Sequence, residues 1–226
     1  MSSLTQSSLA AMIDFALLDP AVSEARLEQH CQQAIENGFA AVAINSAAVA
    51  FCAERLRGSS VGICAAVSFP LGQTTTAVKV FEAQRAIEEG ATEIDFVINL
   101  GLLKSGRVHE LEFEIARVVE ACGDAVSKVI LETGYLTDGE KAAVTEMAIS
   151  AGATFVKTAT GRGPKGATLP DVLLLSRVAE KRIQVKAAGS IRSLNEVLAF
   201  IDAGATRIGT SRALEIMADA REVLPA

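Results

Sequence analysis

Eight short runs of apolar, β-forming residues alternate with longer amphipathic segments along this chain, and no Pro/Ser-rich linker interrupts them. Such alternation is typical of repeated βα units, in which parallel strands are joined by right-handed crossovers. The predicted strands are 11–15, 40–45, 61–69, 93–99, 126–132, 154–158, 183–188 and 206–209, and the predicted helices are 23–37, 46–57, 74–89, 106–122, 138–151, 168–181, 193–203 and a last one from 211.

A weak internal repeat has the period of one βα unit. Gly90, Gly152 and Gly204 each follow a predicted helix and open a Gly-Ala-Thr triplet that leads directly into the next strand. Gly38 ends an earlier helix in the same way. Glycine is favoured just past a helix C-terminus because it adopts positive φ at little cost. The repeat therefore supports the proposed helix ends.

Length and composition fit one α/β domain. Half of the residues are apolar but only 4% are aromatic, so the core is expected to consist mainly of Ala, Val, Ile and Leu, as in a parallel sheet covered by helices. Eight βα units can close on themselves, and we predict a single (β/α)8 TIM barrel domain over residues 1–226. The alternative, an open doubly wound sheet, would need a Gly-rich phosphate loop after the first strand, and segment 13–23 contains no Gly.

Charge and hydropathy exclude several classes of partner. The net charge is -6 and no run of Lys or Arg is present, so we expect no nucleic-acid partner. No apolar run approaches the roughly 18 residues of a membrane span. The first basic residue is Arg26, which leaves the N-terminus without the basic region of a signal peptide.

Cysteine and histidine are too few and too scattered for a disulfide framework or a metal site. No Cys-x-x-Cys pair occurs, and both His residues lie in polar helical stretches. We expect reduced thiols, a cytoplasmic location, no metal and no cofactor. The residues concerned are Cys31, Cys52, Cys64, Cys122, His30 and His109.

Charged residues interrupt three otherwise apolar strands. Lys157 lies in the sixth predicted strand, Lys186 at the equivalent place in the seventh, and Asp95 in the fourth. Barrel layers draw on alternate strands, so Asp95 and Lys157 could share one layer with Lys186 in the next. The structural alternatives are a buried Lys-Asp ion pair, or lysines on the outer face whose ammonium groups reach solvent.

Two neighbouring lysines suit imine formation with a carbonyl substrate. A free Lys has a pKa of about 10.4 and is almost entirely protonated at neutral pH, whereas a second cation and partial burial lower that pKa. In this interpretation Lys157 attacks, Lys186 supplies the positive charge, and Asp95 relays protons through Lys186 or a water.

The loops after the sixth, seventh and eighth strands combine Gly with hydroxyl and basic side chains, as barrel phosphate sites often do. Ser190 can keep its amide as a donor if its backbone avoids positive φ. The candidate phosphate or substrate residues are Gly161, Arg162, Gly189, Ser190, Arg192, Gly209, Thr210 and Ser211, with Lys165 adding a further basic group.

An ordered set of segments resembles the deoxyribose-phosphate aldolase family from about Ile13 to Ser211. The resemblance implies a class I aldolase on a barrel that reversibly splits 2-deoxy-D-ribose 5-phosphate into acetaldehyde and D-glyceraldehyde 3-phosphate. It places the Schiff-base lysine at Lys157, the second lysine at Lys186 and the relay aspartate at Asp95. The segments are IDFALLD, FPLGQ, EIDFVINLGLLKSG, KVILETGYLT, GATFVKTATG, VKAAGSIR and RIGTS.

The chain also departs from that family. The departures concern the acceptor aldehyde and the phosphate contacts and leave the two lysines unchanged. A C-terminal tail ending in Tyr, which assists proton transfer in some members, is missing, since the only Tyr is Tyr135. The other departures are Ala16 for Thr, Ala43 for Cys, Ala159 for Ser, Ser190 for Gly, and Arg212 where a small residue is common.

The leading hypothesis is therefore an aldolase that takes a small phosphorylated sugar or aldehyde. One rival keeps the imine but uses a different, possibly unphosphorylated, aldehyde pair. A second is a phosphate-binding barrel isomerase or synthase in which the lysines only hold charge, and a third is a pseudoenzyme that serves as a binding module. The resemblance suggests a homo-oligomer, either a dimer or a tetramer.

Overall fold

The computed structural model describes residues 4–225. Eight strands form a closed barrel in chain order, each parallel to its neighbours, and β8 pairs with β1 to close it. Helices lie between successive strands. The (β/α)8 barrel predicted from the alternation is confirmed.

All eight predicted strands occur within a few residues of the expected positions. The strands are β1 (Ile13–Leu17), β2 (Ala41–Asn45), β3 (Gly62–Val67), β4 (Glu93–Val97), β5 (Val126–Ile130), β6 (Phe155–Lys157), β7 (Gln184–Ala188) and β8 (Arg207–Thr210). The helices are α1 (Gln6–Ala10), α2 (Glu24–Asn37), α3 (Val49–Leu56), α4 (Thr76–Glu88), α5 (Leu100–Lys104), α6 (Val108–Cys122), α7 (Asp138–Ser150), α8 (Leu169–Ala179), α9 (Leu194–Asp202) and α10 (Ala213–Val223).

Helix boundaries follow from hydroxyl side chains at the N-termini and glycines past the C-termini. The side chains of Thr137 and Ser193 each accept a hydrogen bond from the backbone amide three residues on. In each case the residue at that position is Glu, and its carboxylate accepts the backbone amide of the Thr or Ser in return. Gly38, Gly90, Gly152 and Gly204, which the sequence places after helix ends, have φ between 65° and 112°. Local chemistry therefore fixes where each βα unit turns.

Two short helices, α1 and α5, were not predicted. Strand β4 was expected to continue to residue 99, but it ends at Val97 because Asn99 caps α5 and its Oδ1 accepts the Leu102 amide at 3.2 Å. The segment predicted as one helix over 46–57 begins with a 3-10 turn over Ser46–Ala48 before α3. Polar caps at Thr5 and Asn99 begin α1 and α5, whereas no side chain of the described residues caps the 3-10 turn or α3. Hydrophobic periodicity does not reveal such boundaries.

The apolar core lies mainly between the sheet and the helices. On β6, Val156 belongs to this outer core, whereas the Lys157 side chain reaches the barrel interior. The Phe155 ring also faces the interior, where the Arg207 guanidinium lies 5.4 Å from the ring centre. A separate small apolar cluster lines the interior near β1, β2 and β3, formed by Ala41, Ala43 and Cys64 with Ala16 packed on it. The rest of the interior is therefore available to polar and charged groups.

Among the helices of residues 4–225, none combines the length and the apolar character that a membrane crossing requires.

Candidate active site

Lys157, Lys186 and Asp95 meet inside the barrel. The ammonium groups of Lys157 and Lys186 both donate to Asp95 Oδ2, at 2.6 and 2.7 Å. The two lysines are register partners on adjacent strands, so their side chains point to the same face of the sheet. All three residues are at least 96% buried. The structure therefore brings together the three side chains that the sequence analysis selected.

Further charged groups extend this arrangement toward the N-terminal ends of the strands. Lys186 also contacts Asp14, which accepts from Arg207 Nη1 at 2.6 Å. Lys128 contacts Glu93 and lies 2.9 Å from Asp95 Oδ1. That last approach is an ion contact without hydrogen-bond geometry, and Asp95 Oδ1 accepts no hydrogen bond from the described residues. The array is called the barrel ion network below, and it consists of Asp14, Glu93, Asp95, Lys128, Lys157, Lys186 and Arg207.

Sequence reasoning missed four members of the barrel ion network. Lys128 and Asp14 lie within apolar strands, as Lys157 does, so the same signal was present in VSKVIL and MIDF. Glu93 and Arg207 open their strands and resemble ordinary exposed charges at a strand start. Only closure of the barrel shows that both point toward its axis.

Burial and neighbouring charge move the pKa values of the two lysines in opposite directions. Burial lowers the pKa of Lys157; the Asp95 carboxylate opposes this, and the Lys186 charge adds to the lowering. Burial also favours the neutral form of Lys186, but the carboxylates of Asp14 and Asp95 outweigh it and raise the pKa of Lys186. Lys157 is thus the amine held closer to its neutral, nucleophilic form.

A cavity of about 410 Å³ opens above the two lysines at the C-terminal ends of the strands. Asp95 does not line it and lies beneath both lysines. Lys165, expected to add a basic group, does not line it. Lys157 and Lys186 line it together with the eight other candidate phosphate or substrate residues: Gly161, Arg162, Gly189, Ser190, Arg192, Gly209, Thr210 and Ser211.

The β6 and β7 loops pack backbone against backbone. A Cβ added to Gly189 would lie 3.1 Å from Gly161 N and from Gly166 Cα, so only glycine permits this approach. Ser190 has φ of +60°, so it does not meet the condition that its backbone avoid positive φ. The left-handed conformation at this position persists although the chain carries serine there.

The β8 loop joins the same wall of the cavity. A Cβ on Gly209 would lie 3.0 Å from Lys186 Cε, so the glycine leaves room for the lysine side chain. Thr210 donates to the Ile191 carbonyl at 2.8 Å and accepts the Arg212 amide at 2.9 Å. This hydroxyl ties the β7 and β8 loops together at the mouth.

Three arginines surround the mouth of the cavity, namely Arg162, Arg192 and Arg212. The guanidinium of Arg162 reaches across to the Leu18 carbonyl, at 3.3 Å, in the loop after β1. Arg212, where the related family commonly has a small residue, pairs with Glu215 at 2.9 Å and remains largely exposed. The mouth is therefore a positively charged rim suited to an anion.

Glu132 is a further buried residue that sequence reasoning missed. It follows β5 in the left-handed conformation, with φ of +55°. Its carboxylate accepts from the backbone amide of Thr160, at 3.2 Å, and from the Thr160 hydroxyl. Burial raises the pKa of Glu132. Glu132 thus supports the start of the β6 loop from outside the cavity.

One group of side chains among residues 4–225 has the spacing of a metal site. Ligand atoms of Asp14, Cys64 and Glu93 lie within 4.8 Å of one another. Lys128 donates to Cys64 Sγ at 3.3 Å and contacts Glu93, and Arg207 contacts both carboxylates. Basic side chains already hold these ligands, so we assign Asp14 and Glu93 to the barrel ion network and treat Cys64 as a neighbour of it.

The alanine departures divide into two kinds. Ala16 and Ala43 line the cavity on the side of β1 and β2, next to Leu18. Ala159 is fully buried and does not line the cavity. Tyr135, the only tyrosine, is 54% exposed and also lies outside the lining. The cavity therefore has a polar, basic face from β6 to β8 and an apolar face from β1 and β2.

Comparisons with known proteins point to one family. A family model described as DeoC/LacD family aldolase matches residues 8–216. A protein named deoxyribose-phosphate aldolase from Carboxydothermus hydrogenoformans is 46% identical over 218 residues, covering 95% of this chain and 96% of that protein. A protein of the same name from Streptococcus equi subsp. zooepidemicus is 48% identical over 205 residues, covering 91% and 93%.

A solved structure agrees in fold over nearly the whole chain. Deoxyribose phosphate aldolase from Aeropyrum pernix, described as having a unique tetrameric structure, superposes with a TM-score of 0.90 at 31% identity. The match covers 97% of this chain and 94% of that chain.

Proposed function

Because the chain belongs to the DeoC/LacD family of aldolases, we propose that it reversibly cleaves 2-deoxy-D-ribose 5-phosphate into acetaldehyde and D-glyceraldehyde 3-phosphate through an imine on Lys157. The observation that carries this proposal is a buried lysine with a lowered pKa, which lines a cavity and shares one carboxylate with a second lysine. The isomerase and binding-module alternatives give no reason for that pair.

The reaction needs a neutral amine, an electron sink and a proton carrier. Neutral Lys157 adds to the aldehyde carbon of the open-chain sugar, and loss of water gives a protonated imine. The third-carbon hydroxyl loses its proton as the bond between the second and third carbons breaks. The bonding electrons move into the imine to form an enamine, and glyceraldehyde phosphate leaves. Protonation at the second carbon and hydrolysis then release acetaldehyde and the free amine.

We propose that Asp95 relays protons in these steps through Lys186 or a water. Burial favours its neutral form, but the charges of Lys128, Lys157 and Lys186 outweigh it and hold the pKa of Asp95 well below the usual value. Asp95 therefore rests as a carboxylate and acts first as an acceptor. Its Oδ2 accepts from both lysines, whereas Oδ1 accepts no hydrogen bond from the described residues and faces only the Lys128 charge. Lys186 stays protonated and can pass a proton to the leaving water or to the enamine carbon. This assignment leaves Lys157 free to act as the nucleophile.

The phosphate would bind on the basic face of the cavity. The loops after β7 and β8 and the residues Arg162 and Arg192 line the same cavity as Lys157, which supports a phosphate site there. Charge-assisted hydrogen bonds of this kind each contribute roughly 1.5–3 kcal/mol. A dianion is therefore favoured over a neutral terminal hydroxyl.

The test is to trap the imine. The protein is incubated with acetaldehyde, reduced with borohydride and analysed by peptide mass spectrometry. We expect an irreversible adduct on Lys157 and none in Lys157→Arg, because Arg does not become a neutral amine at working pH. Adduct formation at full rate in Lys157→Arg, or no adduct in the wild type, contradicts the proposal.

One observation favours a second candidate, an aldolase with a different aldehyde pair. Ala16, Leu18 and Ala43 offer no hydrogen-bonding side chain on the β1 and β2 face of the cavity. A site that bonds a substrate hydroxyl rejects the analogue without it by about 10⁴–10⁵, whereas an apolar wall cannot. The test uses two sugar phosphates, one with and one without a hydroxyl next to the aldehyde carbon. The ratio of their cleavage rates, compared between the wild type and Ala16→Thr, distinguishes the two candidates.

The proposal extends to assembly and location. We propose a homo-oligomer, a dimer or a tetramer, supported by the tetrameric relative from Aeropyrum pernix and by the exposed aromatic rings of Phe81 and Phe113, which are 69% and 60% accessible in one chain. We also propose a cytoplasmic location, which the four free, buried cysteines support. Light scattering measures the oligomeric state, and cell fractionation measures the location.

A further inference from the structure

The barrel ion network contains one cation more than its carboxylates can neutralise. Among residues 4–225, contacts of 3.8 Å or less join all seven side chains. The cations are Lys128, Lys157, Lys186 and Arg207, and the carboxylates are Asp14, Glu93 and Asp95. If all seven groups were ionised, this buried cluster would carry a net positive charge, which is costly away from water.

Lys157 is the member whose charge is least compensated. Its one ion partner in the network is Asp95, and that carboxylate is shared with Lys186 and Lys128. Lys186 contacts two carboxylates, Lys128 contacts three, and Arg207 contacts two. The proton most easily given up is therefore the one on Lys157, which lines the cavity beside Lys186.

We propose that Lys128 is a positioning residue for the reaction, because by neutralising Asp95 and Glu93 from beneath it leaves Lys157 as the surplus cation and so keeps that amine unprotonated. The inference rests on the proposed role of Lys157 as the nucleophile. Lys128 does not line the cavity, so it acts through Asp95 and through the field of its own charge.

Lys128 remains charged throughout the working pH range. Burial favours its neutral form, but the carboxylates around it, Asp95 foremost, hold its pKa well above the usual value. Its ammonium is fully buried and makes three ion contacts together with a hydrogen bond to Cys64 Sγ. It is therefore a fixed positive charge on the axis of the barrel.

Other groups that face Lys157 do not supply the missing counter-charge. Burial raises the pKa of the Cys64 thiol to about 12, so the thiol is neutral. Glu132 feels the Lys157 charge, but burial outweighs this and raises the pKa of Glu132. Its carboxyl bonds Thr160 and, within residues 4–225, makes no ion contact of 4 Å or less. The Phe69 ring centre lies 6.0 Å from Lys157 Nζ and is uncharged. All of these groups are retained in the variants below.

The test measures the protonation of Lys157 without any substrate. Reductive methylation by formaldehyde and cyanoborohydride requires a neutral amine, and peptide mass spectrometry reports its rate at Lys157 as a function of pH. Lys128→Met removes a nearby cation, so the midpoint should move to higher pH by about one unit. Glu93→Gln removes an anion, so the midpoint should move to lower pH by a similar amount.

The double variant Lys128→Met/Glu93→Gln decides whether charge balance is the cause. It removes one cation and one anion together, so we expect the midpoint to return close to the wild-type value. Replacing a buried ion pair as a unit is often neutral for stability, whereas removing one partner is strongly destabilising. If Lys128→Met does not fold, Glu93→Gln and the double variant still provide the comparison. Equal midpoints in those two variants and the wild type would overturn the inference.

A matched control and a separate readout complete the design. Lys79→Met removes a buried lysine outside the barrel ion network and should leave the Lys157 midpoint unchanged. Failure of the proposed function would give a different result. If Lys157 of the wild type is methylated at low pH but the protein neither traps acetaldehyde nor cleaves the sugar, the proposed aldolase activity is wrong and the charge-balance inference stands.

Discussion

Two regions of this molecule bury lysine completely, and they do so in different ways. Between α4, α6 and the end of β4, Lys79 and Glu114 form one ion pair at 2.7 Å. The same ammonium donates to the Val97 carbonyl at 2.8 Å, and the same carboxylate accepts the Asn99 amide at 2.9 Å. In this pair, called the helix clamp below, one cation meets one anion. The barrel ion network has four cations for three anions and opens onto a cavity.

The difference shows that burial alone does not identify a functional lysine. Burial lowers the pKa of Lys79, as it does that of Lys157, but the helix clamp pairs its one cation with one anion and is closed to solvent. The barrel ion network has a surplus charge, and its least compensated cation, Lys157, lines the cavity. Charge balance within the cluster and access to a cavity together distinguish a structural ion pair from a reactive one.

The largest expected effect comes from Asp95→Asn, which keeps the shape of the side chain but removes the proton acceptor shared by both lysines. We expect cleavage of 2-deoxyribose 5-phosphate to fall by about 10²–10⁴, the range usual for a general acid-base group. Hydrogen exchange at the methyl group of acetaldehyde, followed by NMR, should fall in parallel. Exchange at the wild-type rate would remove Asp95 from the proton relay and weaken the contrast with the helix clamp.

The second effect is on stability. Lys79→Met leaves Glu114 buried without a cation, and breaking a buried pair in this way costs about 3–5 kcal/mol. Urea unfolding measures this loss, and the double variant Lys79→Met/Glu114→Leu should recover much of it. At a temperature where the variant is folded, the pH profile of kcat/KM should not move. A shifted profile would show that the helix clamp also takes part in the chemistry.

The smallest effect concerns the exposed charges at the mouth. We expect kcat/KM for 2-deoxyribose 5-phosphate to exceed that for 2-deoxyribose by more than about tenfold, since one good charge-assisted bond is worth at least about 1.4 kcal/mol. Inorganic phosphate should compete with the phosphorylated sugar. Equal rates on both sugars without inhibition by phosphate would contradict the phosphate site and favour an unphosphorylated aldehyde.

The sequence predicted the barrel and the three central side chains because both depend on strong local signals. Eight apolar runs and the glycines after the helices determine the βα units, and Lys157, Lys186 and Asp95 interrupt apolar strands. The roles of Glu93 and Arg207 could not be predicted, since each opens a strand and becomes interior only when β4 and β8 join the closed barrel. Positive φ at a non-glycine residue has no sequence signal, so Ser190 and Glu132 were not foreseen.

The ion pair between Asp14 and Arg207 joins side chains 193 positions apart in the chain. Asp14 leaves the ribosome long before Arg207, so the network cannot assemble until β8 has been synthesised. Contacts of such high sequence separation form late and cooperatively, after the cost of closing the barrel has been met. An amine that is unprotonated at neutral pH reacts with many aldehydes, and in an unfinished chain Lys157 has the ordinary pKa of an exposed lysine. The reactive amine therefore arises only when folding is complete, and until then the nascent protein is protected from indiscriminate modification at its own nucleophile.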